Sequence, residues 1–146
     1  MKSFANIYDR IKAIATNHRQ INTFGHGQEW DRATSGTTNY PMFWAVPRGS
    51  KIRKGEIGYD FDFIVQDLIQ KDYANLEDGL SDTHQTLTDV LSELKWGDYA
   101  GIDLKVSDFA AEPFIEGTDD ECLGWTCRVT IWTDFNWNSC TIPTIT

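Results

Sequence analysis

Apolar and polar side chains alternate along residues 56–68, E-I-G-Y-D-F-D-F-I-V-Q-D-L. Ile57, Tyr59, Phe61, Phe63 and Val65 fall on one side of an extended chain, and Gly58, Asp60, Asp62 and Gln66 on the other. A period of two predicts a long strand with one dry and one wet face. Residues 122–137 repeat the pattern, with Leu123, Trp125, Cys127, Val129, Ile131, Phe135 and Trp137 at one parity. Two such strands are expected to share a sheet, and their dry faces call for helices to cover them.

Those helices are legible as stripes. Phe4, Ile7, Ile11 and Ile14 recur at helical spacing behind Ser3, a residue type that caps helix N-termini. His18 lies on the same stripe one turn later and reads as a packed or hydrogen-bonded side chain, with the helix ending near residues 19–21. Leu80, Thr83, Leu87, Val90, Leu91 and Leu94 form a second stripe. It is expected to follow a polar linker over residues 71–82, to start at a Ser81 cap and to end at Trp96 and Gly97.

Residues 40–46, Y-P-M-F-W-A-V, read as a short strand whose Pro41 holds it to a strand start or a sheet edge. Residues 47–55, P-R-G-S-K-I-R-K-G, read as a glycine-punctuated hairpin loop bearing Arg48, Lys51, Arg53 and Lys54. Ile102, Leu104 and Val106 alternate with polar residues, so another strand is expected from Gly101, bending at 109–113 before Phe114 and Ile115. The tail, 138–146, reads as extended and polar. The order is α-β-β-α-β-β. It predicts an α+β domain spanning residues 1–146, with an antiparallel sheet of about four strands and two helices packed on one face.

Composition narrows the function. At 146 residues and 40% hydrophobic the chain is long enough for one proper core. No apolar run approaches the ~20 residues of a membrane span, and the N-terminus shows no signal-peptide core. Three cysteines are an odd number, and Cys122 and Cys127 are spaced to point to opposite faces of a strand, so a reducing place of synthesis is expected. The net charge of −9 is uneven: residues 1–54 carry nine Lys and Arg against three Asp and Glu, and residues 55–146 carry four against nineteen. So acidic a protein is a poor wrapper of nucleic acid, while two opposed charged regions suit head-to-tail contact between identical copies.

Candidate chemistry is sparse. Residues 20–39 form a long Gly-, Thr-, Asn- and Ser-rich connection made sticky by Phe24 and Trp30, which suits contact with a neighbouring chain. His26, Glu29 and Asp31 within it match no helical or turn-based ligand spacing. The D-D-E run at 119–121 lacks the spaced acidic loop of calcium sites, and the basic hairpin lacks a phosphate-binding loop pattern. No catalytic residue, cofactor or metal is therefore expected. The hairpin cations read either as a solvated tip or as an arm for an acidic partner.

The run I-Y-D-R-I-K-A-I-A-T-N-H-R-Q-I-N-T-F-G-H-G (7–27), the run T-S-G-T-T-N-Y-P-M-F-W (34–44) and the two-part layout of helix and two strands resemble the tail-terminator and head–tail joining proteins of tailed bacteriophages, those of crAss-like and related phages in particular. The resemblance covers nearly the whole chain. It implies a non-enzymatic homo-oligomeric ring, a hexamer or else a dodecamer, made in the host cytoplasm and resident in the virion neck or tail. Such a ring contacts portal, neck or tail proteins, encloses DNA without reading its sequence and meets no membrane. The surfaces expected to face a neighbouring subunit or ring are Phe24, His26, Trp30, Arg48, Lys51, Arg53 and Lys54. The alternative is a monomeric ligand-binding or enzymatic α+β domain using His26, Glu29, Asp31 and His84. An RNA-recognition sheet is disfavoured by Asp60 and Asp62, which stand where exposed aromatic and basic residues are needed.

Overall fold

A computed structural model describes residues 3–26, 40–69, 74–96, 109–117 and 121–135. The elements run α1 (Phe4–Asn17), β1 (Thr23–His26), β2 (Met42–Arg53), β3 (Glu56–Leu68), α2 (Leu76–Trp96), β4 (Ala111–Gly117) and β5 (Glu121–Asp134). The fold is α+β, but the sheet has five described strands in the order β1-β2-β3-β5-β4, and it is mixed rather than purely antiparallel. The extra strand is β1, which pairs parallel with β2 from Thr23 opposite Met42 to His26 opposite Ala45. Residues 20–39 looked like one long loop because a four-residue strand containing Gly25 carries almost no periodic signal.

β3 matches the expected strand residue for residue. It pairs antiparallel with β5 along its whole length and with β2 from Glu56 to Gln66. Its odd-numbered residues face the helices: Phe61, Phe63 and Val65 join Phe43, Ala45, Cys127, Val129 and Ile131 beneath Ile7, Ile11, Ile14, Leu87, Val90, Leu91 and Leu94. On the far face, Met42, Trp44, Val46 and Ile64 form a smaller buried cluster with Tyr40 and Phe114 against it. Cys122 and Cys127 are both buried and unbridged, on opposite faces as their spacing requires.

α1 begins as anticipated. Ser3 Oγ accepts from the Asn6 N–H while Asn6 Oδ1 accepts from the Ser3 N–H, a reciprocal cap. His18 is the C-terminal cap residue of α1, outside its helical stripe. α2 starts five residues before Ser81, so Ser81 is interior and residues 76–82 are helix instead of linker. Glu77 and Asp78 in its first turn suit the positive end of the helix dipole, so acidic residues mark this start where no Ser cap stands. β2 does not stop at Val46. It continues to Arg53, which reduces the supposed hairpin loop to the two residues Lys54 and Gly55, with Gly55 at φ 84°. β5 ends at Asp134, short of Trp137, and β4 opens at Ala111 within the bend expected at 109–113. The strand expected over 102–106 and the extended tail over 138–146 lie outside the described residues.

Phe61 is fully buried, stacked 5.7 Å from Phe4 and tilted 6.1 Å from Phe63. Phe61→Ala is expected to lower the unfolding free energy by about 3–5 kcal/mol in urea titrations, and a loss below ~1 kcal/mol would contradict this packing.

Candidate assembly interface

β1 pairs with β2 only as far as Ala45, so beyond it β2 has no strand neighbour on that side among the described residues. From Arg48 to Arg53 every residue of β2 is exposed. An unpaired edge of this length invites other strands, and natural edges are blunted by proline, bulges and inserted charge. This edge has all three. Pro47 opens it, a register shift between Pro47 and Gly49 leaves Arg48 as the extra residue, and Lys51 and Arg53 follow.

The shift decides where the cations point. Before it, Met42, Trp44 and Val46 lie on the face away from the helices; after it Gly49, Lys51 and Arg53 do. That face of β3 and β5 holds Glu56, Asp60, Asp62, Arg128 and Thr130. Arg48 Nε donates to Asp62 Oδ2 at 2.6 Å, and Arg128 reaches both oxygens of the same carboxylate at 2.9 and 3.3 Å. Lys51 Nζ stands 3.5 Å from Asp60, whose Oδ1 also accepts from the Thr130 hydroxyl. Arg53 lies over the Trp132 ring at 3.8 Å and pairs with Glu56 at 3.0 Å. The indole in turn packs against Gly58, where a Cβ would come within 2.8 Å of it. Burial alone would raise the Asp62 carboxyl, but hydrogen bonds from Arg128 and Arg48 hold it below its ordinary value.

Three of the four expected interface cations are thus paired within the chain, and Lys54, at the turn, makes no ion pair with a described residue. Their partners Glu56, Asp60, Asp62 and Trp132, and Arg128, which shares Asp62 with Arg48, were missed as a group. The two-residue turn Lys54–Gly55 would have supplied the register opposing Arg53 to Glu56. Phe24, also expected at an interface, is half-buried between Tyr8 and Phe43, with ring centres 5.7 and 6.0 Å away, so it serves packing. His26 closes β1 through backbone pairing with Ala45. Glu29, Trp30 and Asp31 lie outside the described residues.

His84 packs edge-on against Trp125 at 4.8 Å, over β5 and three strand positions from the strand of His26, so those two candidates do not converge. His18 Nε2 meets Asp89 Oδ2 at 2.9 Å beside a 260 Å³ cavity between the helices, and its Nδ1 accepts from the Gln20 N–H. That bond to His18 is the main cause of a lowered Asp89 carboxyl, so the pair clamps α1 to α2. Among the described residues no group of three or more His, Cys, Asp or Glu is placed to hold a metal, and no helix is long and apolar enough to cross a membrane. No family model matches the chain, and no curated protein matches it.

Because the folded Asp62 carboxyl is lowered, its contribution is present at neutral pH and is lost as pH falls through the folded value. Asp62→Asn is expected to cost about 1–2 kcal/mol at neutral pH and to flatten the stability–pH curve between about pH 5 and pH 2, read by urea melts. A variant curve parallel to the parent's would show that the two arginines do not act on this carboxylate.

Proposed function

We propose that this chain is a virion structural protein that assembles into a closed ring in the neck or at the head-proximal end of a phage tail, around the DNA channel. The observation that carries the reading is the half-strand of β2 that has no outer strand neighbour among the described residues, exposed from Arg48 to Arg53 and braced by internal ion pairs. A braced projection loses little conformational freedom on contact, which favours association. Large apolar side chains are exposed both on this projection, at Ile52, and away from it, at Leu68, Trp96 and Ile115. Two different sticky regions on one molecule support head-to-tail contact, the kind that closes into rings. The excess of acidic residues after position 54 also suits a channel wall that does not retain phosphate.

Light scattering behind size exclusion, with negative-stain microscopy, tests this. The expected result is a closed ring whose mass is a multiple of 16.7 kDa, about 100 kDa for six copies. A single-chain mass at every concentration and ionic strength would sink the reading and favour the monomeric domain.

A further inference from the structure

Deepening the ring reading, on which it rests, we propose that the tip of the β2–β3 hairpin seats in a carboxylate-lined cavity at the other end of the sheet in a second copy of this chain. Lys54 then answers Asp67 and Asp82.

The tip is built as a plug. Arg48, Lys51 and Arg53 are held by Asp62, Asp60 and Glu56, and the Phe135 N–H donates to the Gly55 carbonyl at 2.8 Å, tying the turn to the end of β5. What this frame leaves outward is Ile52, 62% exposed on the face opposite the paired cations, and the Lys54 ammonium. Pro47, the bulge and the neighbouring charges discourage backbone pairing along the edge, so a contact here is made by side chains.

The cavity is built as a socket. It measures 260 Å³ and lies where the segment after α1, the start of β2, the end of β3 and the first turns of α2 meet, between Arg19, Pro41, Asp67, Asp82, Thr83 and Thr86. The Asp67 carboxylate accepts from the N–H of the adjacent Leu68, and burial together with the charge of Asp82 raises its pKa. A cation delivered from outside offsets the charge of Asp82 and favours the ionised carboxylate. Exposed Glu77 and Asp78 open α2 at the same end and extend the negative field.

Plug and socket lie at opposite ends of β3, about 40 Å apart at ~3.3 Å per residue, so they cannot meet within one chain. A contact between unlike ends is heterologous and propagates from copy to copy until the rotation closes.

The test is a charge exchange. Lys54→Glu makes the tip acidic, and Asp67→Asn with Asp82→Lys makes the socket basic. Each variant alone is expected to keep its melting temperature and to self-associate at least tenfold more weakly at low salt by sedimentation velocity. Mixed in equal amounts they should restore assembly, because every acidic tip then finds a basic socket and every native tip a native socket. Lys54→Gln and Asp82→Asn, which introduce no repulsion, serve if a reversal unfolds the chain, and both should weaken association. A wild-type ring that tolerates the variants, or variants that the mixture does not rescue, overturns this contact and leaves the ring standing. A wild-type chain that never associates overturns both.

Discussion

The position of β3 between two strands is the constraint from which the rest follows. Pairing with β2 and β5 satisfies its backbone on both sides, and the helices bury its odd-numbered side chains. That leaves Asp60 and Asp62 on a sheet face flanked by other strands, with side chains only 16% and 14% exposed. Carboxylates so far withdrawn from water need partners, and the adjacent strands supply them: Arg48 and Lys51 from one side, Arg128 and Thr130 from the other. The charged ladder is therefore a consequence of burying the centre of the sheet.

The single-residue shift at Arg48 makes that ladder possible. Side chains alternate strictly along a strand, so without an extra residue Lys51 and Arg53 would turn toward the helix side, beside Ile57 and Tyr59. Ile52 would turn to the other face, among Asp60 and Glu56. With the shift, each cation meets an anion and Ile52 lies across from Ile57. The glycine beside the bulge and the proline before it belong to this device, which is why they punctuate the segment without ending the strand.

Periodicity in the sequence was informative wherever an element was long and one-faced. β3, the apolar face of β5 and both helical stripes could be read directly, because burial imposes a period on them. It misled where glycine and charge had other causes. Gly49 and the cations of residues 47–55 suggested a loop, though they belong to an edge strand made of polar residues because it is an edge. β1 was hidden for a related reason: Gly25 admits the Trp44 ring, which fills the space where a Cβ would stand, so the position gives no apolar signal of its own. The ion pairs themselves depend on register, which a list of charged residues does not contain.

Pairing three of its four cations internally changes what the projecting edge is able to do. A bare cluster of lysines and arginines would attract any anion, phosphate included, and its side chains would lose freedom at each contact. Here Arg48, Lys51 and Arg53 already hold fixed partners, so the strand presents a stiff, nearly neutral surface with one aliphatic side chain and one ammonium at its end. Such a surface selects by shape and by a single charge instead of by bulk attraction, and its contacts should be less sensitive to salt than a four-cation arm would be. Selectivity of that kind is what the proposed head-to-tail contact would require, since each copy would have to engage one end of the next and ignore the rest of an acidic surface.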